Sequence, residues 1–183
     1  MAEHLAWLLL GSNIDPETHL AAAVERLARQ GALLAVSSAW QSPPADGSRQ
    51  PDYLNAAVLL QTERTPEELL ERVTAPIEKA LGRVRTADIF APRTIDIDLA
   101  LYDERTGTAA GKALPHPDIL RYAHCAVPLA EISPDTVHPE TGETLRAIAG
   151  RLRTPSMRRR EDLNLKSFVK PAGPAPQEPE RGA

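Results

Sequence analysis

From Thr94 to Tyr102 the chain reads Thr-Ile-Asp-Ile-Asp-Leu-Ala-Leu-Tyr, a strict period of two. That period belongs to a half-buried strand, so Ile95, Ile97, Leu99 and Leu101 are expected to face a core and Thr94, Asp96, Asp98 and Ala100 to face away from it. A strand of this kind demands a sheet with one apolar face. It also sets the Asp96 and Asp98 carboxylates on one side, their Cα atoms roughly 7 Å apart.

The rest of the chain supplies partners for that strand. Leu5–Leu10 reads as a buried strand ending in a Gly11-Ser12-Asn13 turn, after which Asp15 and Pro16 offer an N-cap and a first-turn proline. Leu20, Ala23, Val24 and Leu27 form an apolar helical stripe running to a stop at Gly31. Ala32–Trp40 is expected as a second strand, Gln41–Asp52 as a loop, and Tyr53–Thr62 as a third strand. Thr65-Pro66-Glu67-Glu68 is a capping box opening a second helix toward Gly82, with a kink expected at Pro76.

This order predicts an α+β fold, a ferredoxin-like βαββαβ sandwich whose mainly antiparallel sheet carries two helices on one face. The other face is expected to stay free for a ligand. A helix over Glu143–Leu152 would be an added C-terminal element, making 1–153 one domain. The segment 154–183 is expected to be disordered; four of the thirteen residues from Pro171 are proline.

Composition removes several classes of function. Residues 1–153 hold 15 basic and 21 acidic side chains, a formal −6, which argues against nucleic acid as a partner. Cys125 is the only cysteine, so no internal disulfide or thiolate zinc site is available, and a cytoplasmic setting fits. The apolar start Leu5–Leu10 lacks a basic leader and is far too short to cross a bilayer, so no membrane role is expected.

Two carboxylates on one strand face can share magnesium ions whose other ligands are substrate phosphates, the usual arrangement for phosphoryl or diphosphoryl transfer. Arg83, Arg85 and Arg93 enter the same strand end and carry permanent charge in forks that match phosphate oxygens. Taken singly, such arginines more often form surface ion pairs, here with Asp88 and Glu78. His116, between Pro115 and Pro117, sits in a stiff turn and could donate to phosphate. Tyr53 and Asn55 share a strand face, an aromatic plate beside an amide able to read a planar heterocycle.

Gly11-Ser12-Asn13, Ser42-Pro43-Pro44, Pro51-Asp52-Tyr53-Leu54-Asn55, Gly82-Arg83-Val84-Arg85, Pro92-Arg93-Thr94-Ile95-Asp96-Ile97-Asp98 and Pro115-His116-Pro117 together resemble the hydroxymethyldihydropterin pyrophosphokinases, in order, from Leu8 to Arg153. The resemblance implies transfer of the β,γ-diphosphate of ATP to a pterin alcohol by a monomer. It implies two magnesium ions, bound with ATP on Asp96 and Asp98. Catalysis would involve Arg83 and Arg93 with that pair. Pterin contacts would come from Ser42, Pro43, Pro44, Ala45, Tyr53, Asn55 and His124, and ATP contacts from Glu78, Arg83, Arg85, Arg93, Leu99 and His116, with Leu99 packed on adenine and Arg121 as the replacement for a family arginine displaced in this chain.

Three positions depart from the family pattern. His124 stands where a phenylalanine is usual, Tyr122 where an arginine is usual, and Phe90 where a tryptophan is usual. They permit one rival, a silent relative that binds pterin or nucleotide without chemistry; the fold itself offers a second, an RNA-binding sheet that presents aromatics to bases. The few aromatics and the acidic body weigh against the second.

Overall fold

A computed structural model describes residues 3–88 and 91–169. The predicted elements appear in their predicted order: β1 (His4–Ser12), α1 (Pro16–Leu27), β2 (Ala32–Val36), β3 (Ala39–Ser42), β4 (Tyr53–Thr62), α2 (Pro66–Leu69), α3 (Ala75–Ala80) and β5 (Asp96–Tyr102). Every pairing in the sheet is antiparallel, and the strands run β5-β1-β4-β3, with β2 also on β4. This is the ferredoxin-like arrangement.

The first core lies between the sheet and helices α1 to α3. Leu20, Ala23, Val24 and Leu27 meet Leu8, Leu10, Ile97 and Leu99 there. Each fully buried leucine contributes about 2 kcal/mol of transfer free energy.

Several details depart from the sequence reading for identifiable reasons. Asp15 does not cap α1 with its side chain; it takes φ 42° and its carbonyl accepts from His19 N–H. Gly31 is not a helix stop but a close approach, since a Cβ there would collide with the Gln61 carbonyl. The strand expected over Ala32–Trp40 breaks at Ser37-Ser38, where the Ser37 hydroxyl accepts from Ala57 N–H in place of a ladder carbonyl. The expected kink at Pro76 is a π-turn over Leu70–Thr74: Ala75 N–H bonds Leu70 C=O, one residue further back than usual.

β5 also breaks its own alternation. Trp7 pairs Leu101 while Leu8 pairs Leu99, leaving Ala100 as an extra residue in a β-bulge. Leu101 therefore turns to the opposite face from Leu99, correcting the expectation that both share one core.

That opposite face is not free along its whole length. Helix α4 (Ala123–Ile132), missed by the sequence reading, lies across β1, β3 and β4 on this face, with α5 (Leu145–Leu152) packed against it. Under them lies a second core with Trp7, Leu9, Trp40, Ala57, Leu101 and Ile119. α4 is apolar on all sides and contains Pro128, so it shows neither a stripe nor an uninterrupted pattern. Glu131 near its end accepts from Ser38 N–H and from the Trp40 indole at 2.8 Å, tying helix to sheet.

Between β5 and α4 comes a small hairpin, β6 (Gly107–Ala109) and β7 (Lys112–Leu114). The segment from 154 is also more ordered than expected. β8 (Arg158–Arg160) pairs with β3, Met157 is buried in the second core, and Leu165 is buried in the first with Leu163 and Phe168 packed against it, so a strand and several apolar side chains hold the described part of the segment to the domain. Residues 170–183 lie outside the described set.

Candidate active site

Where the cover of α4 stops, the uncovered end of the sheet floors a cleft of about 310 Å³. Its floor is set by register. Trp40, Asn55, Gly11 and Asp96 are successive partners across β3, β4, β1 and β5, so their side-chain positions share one face. The neighbouring row is Ala57, Leu9 and Asp98, whose first two members are buried under α4.

Gly11 is a strand residue in the middle of this floor, not part of a turn. A Cβ there would stand 3.4 Å from Asn55 Oδ1, so glycine leaves a flat patch between amide and carboxylate. The Asn55 amide is oriented from behind: Nδ2 donates to the Trp40 carbonyl at 3.2 Å and to Ser42 Oγ at 3.0 Å. Oδ1 is left as the acceptor beside Gly11. Ser42, Pro43, Pro44 and Ala45 line this end with Tyr53.

His124 lines the same cleft from the first turn of α4 and stacks on Tyr122, ring centres 5.2 Å apart and planes 20° apart. Burial holds the His124 pKa below the ordinary histidine value, opposed by Asp118 and assisted by the nearby His116 charge. The ring is therefore neutral near pH 7 and keeps a usable π-face.

At the other end the two carboxylates carry different counter-ions. Arg93 Nη1 lies 2.5 Å from Asp96 Oδ2, and Arg83 Nη2 lies 4.0 Å from Asp96 Oδ1. Burial disfavours the Arg93 charge, but Asp96 outweighs it and raises the guanidinium pKa. Asn13 holds the Arg93 backbone on both sides, its Oδ1 accepting from Arg93 N–H and its own N–H donating to the Arg93 carbonyl. Arg83 Nε is buried with no hydrogen-bond partner among the described residues.

Asp98 meets Lys112 Nζ at 2.8 Å on Oδ1 and His116 Nε2 at 4.0 Å on Oδ2. Burial alone would raise the Asp98 pKa; Lys112 and then His116 overcome it and hold the carboxyl low. His116 N–H donates to the Ala100 carbonyl, and its Nδ1 accepts from Asp118 N–H, which leaves the Nε2 proton pointing to the cleft.

Not every expected residue reaches the cleft. Leu99 is only 4% exposed and packs in the first core, which corrects the expectation that its side chain lies against adenine. Glu78 is buried behind the site: its carboxylate accepts from Ile97 N–H at 2.8 Å and from Arg85 at 2.7 Å, and burial raises its pKa. It serves as an anchor for β5. Arg85 and Arg121 stand outside the cleft lining, their side chains 63% and 67% exposed. Phe90 lies outside the described residues.

Gly11, Asn13 and Lys112 were missed as site residues. A glycine ending an apolar strand is a signal of close approach and could have drawn attention to the first; nothing local marks the others. Among the described residues no group of three His, Cys, Asp or Glu side chains is arranged to hold a metal ion. Asp96 and Asp98 thus offer two carboxylates, a donor set that suits a magnesium ion taking its remaining ligands from phosphates and water.

An antiparallel sandwich whose open sheet end carries an amide and aromatic rings beside paired carboxylates ringed by cations defines a class: a ferredoxin-like enzyme built for phosphoryl-type transfer to a planar substrate. Residues 7–134 match the family 7,8-dihydro-6-hydroxymethylpterin-pyrophosphokinase (HPPK). The chain belongs to this family. A 2-amino-4-hydroxy-6-hydroxymethyldihydropteridine pyrophosphokinase from Methylorubrum extorquens is 44% identical over 150 residues, covering 80% of this chain and 92% of that protein. Its counterpart from Synechocystis sp. is 40% identical over 144 residues, covering 78% and 73%. In fold the chain is similar to crystalline Plasmodium falciparum HPPK-DHPS with pteroate, with a TM-score of 0.64 at 12% identity over 82% of this chain. The match spans 42% of that longer protein.

Proposed function

We propose that this protein transfers the β,γ-diphosphate of ATP to the hydroxymethyl group of 6-hydroxymethyl-7,8-dihydropterin, releasing AMP and the pterin diphosphate, as a step of folate biosynthesis. The observation that carries this reading is the register row Asn55–Gly11–Asp96, which sets a heterocycle-reading amide and a cation-paired carboxylate on one flat floor.

The pterin ring would lie over Gly11 between Tyr53 and His124, with Asn55 Oδ1 accepting from a ring N–H. Its hydroxymethyl oxygen would then point toward the carboxylate pair. That oxygen attacks the β-phosphorus in line, the bond from β-phosphorus to the oxygen bridging it to the α-phosphorus breaks, AMP leaves, and the hydroxyl proton passes to solvent. No protein nucleophile takes part, so the chain acts by positioning and by offsetting charge. Arg83 and Arg93 would face the polyphosphate, and the His116 Nε2 proton would donate to it. Asp96 and Asp98 would hold two magnesium ions, which supply charge neutralisation on the phosphates when bound with ATP.

No helix among the described residues is long and apolar enough to cross a membrane. We place the reaction in the cytoplasm and assign it to a monomer.

The test is AMP release measured with and without pterin and magnesium. Release that requires both supports the reading. ADP as product, or binding of both ligands without AMP, would overturn it and favour the silent relative.

A further inference from the structure

Asp98 is engaged by a cation that the proposed reaction leaves unused. Lys112 opens β7, directly after a two-residue hairpin turn in which Ala110 and Gly111 take φ 46° and 78°. Positive φ at both central positions gives the tight turn whose twist matches a hairpin and fixes its register. Lys112 pairs with Ala109, so both side chains leave from the same face of the ribbon. Ala109 is buried in the first core, and the Lys112 stem therefore starts inward and carries its ammonium to Asp98 Oδ1, 2.8 Å away.

The two carboxylates differ in how firmly their counter-ions are held. Asp96 has guanidinium forks on side chains that are mostly buried, one of them clamped through its backbone by Asn13. Asp98 has an ammonium on a flexible stem that is 43% exposed. A lysine is a point charge with rotatable donors and can change partners without losing a planar geometry. A magnesium ion on Asp98 would compete with the ammonium for the charge of the same carboxylate. Ion and ammonium repel, so each weakens the other's hold on Asp98. The nucleotide that arrives with the metal also brings new anionic oxygens to the same rim.

We propose that Lys112 is an exchangeable counter-ion: it neutralises Asp98 in the resting protein, gives up that carboxylate to magnesium, and passes to the polyphosphate of the incoming nucleotide. The proposal rests on the reading that Asp98 is a magnesium ligand. It predicts effects of opposite sign. Removing the ammonium removes a competitor of the metal but also a partner of the phosphates.

The experiment uses the full chain and two probes: manganese alone, followed by electron paramagnetic resonance, and a non-transferable ATP analogue with magnesium, followed by calorimetry. Lys112→Met is expected to bind manganese about threefold tighter and the nucleotide about tenfold weaker, with a melting temperature near that of the parent. Lys112→Arg, which keeps the charge, is expected to hold both affinities close to the parent values. Asp98→Asn separates the exchange from the metal site. If it weakens manganese binding while Lys112→Met leaves both affinities unchanged, or moves them in the same direction, the exchange is wrong and the magnesium site stands. If Asp98→Asn leaves manganese binding intact, the magnesium reading falls and the exchange falls with it.

Discussion

The two ends of the cleft are built from different materials. At the amide end, Asn55, Ser42 and Trp40 are buried, sit on strands and are fixed by hydrogen bonds to one another and, through the Trp40 indole, to Glu131 on α4. At the phosphate end the cations come from loops and a hairpin; Lys112 is 43% exposed, and Arg85 and Arg121 stand in solvent outside the cleft lining. Reading one rigid heterocycle rewards groups that cannot move, because any misplacement costs hydrogen bonds. Gathering a polyphosphate with its metals rewards charges that can rearrange as ligands enter and leave.

The largest effect should come from the carboxylates. Asp96→Ala or Asp98→Ala is expected to lower turnover by at least about 10²-fold, with melting little changed, since each removes one preorganised charge. Asp96→Asn should fare no better, having the shape without the charge. Normal magnesium-dependent turnover in the alanine variants would mean that the pair is only a wetted strand face.

Asn55→Ala sharpens the contrast from the other end. It should weaken pterin binding by about 10- to 100-fold, the cost of leaving a ligand donor and the Ser42 hydroxyl without their partner. Nucleotide affinity should hold. Equal losses for both ligands would show that the two ends are not separable.

A smaller effect is expected at His124. His124→Ala should cost about 1 kcal/mol of pterin affinity and His124→Phe should preserve it, the signature of ring stacking. Burial lowers the histidine pKa, so protonation is postponed to more acid solution and pterin affinity should be flat from about pH 7 to pH 8. A falling affinity across that range would show that a charged ring, not a neutral one, binds the pterin. Smallest of all, removing residues 171–183 should leave turnover unchanged in a steady-state assay, because every site residue precedes them.

The sequence made the sandwich legible because β1, α1, β4 and β5 each carry an unmixed period, and the cleft legible because its motifs sit at the ends of those elements. α4 stayed hidden: a helix with no polar face and an internal proline carries no amphipathic signal. Strand alternation assigned Leu99 to a core, and it packs in one; its contact with adenine was implied by the resemblance alone. Lys112 could not have been found by spacing, since its meeting with Asp98 depends on a hairpin folding back across fourteen residues. The order seen between 154 and 169 was not legible because an arginine-rich stretch can still pair its backbone, as β8 does, and because Met157, Leu163, Leu165 and Phe168 are too scattered to show a period yet pack on the domain.

The bulge at Ala100 lets the two halves of β5 obey separate rules. Before it, the strand must present Asp96 and Asp98 to the cleft; after it, the strand must present Leu101 to the core beneath α4, and one supernumerary residue absorbs the conflict. Ala100 is also the residue whose carbonyl receives His116 N–H. A deletion of Ala100 would therefore cost packing little and chemistry much: β5 would run on as a regular strand with Leu101 still opposite Trp7, while the carbonyl that moors the histidine facing Asp98 would be displaced, a loss felt through a residue with almost no side chain of its own.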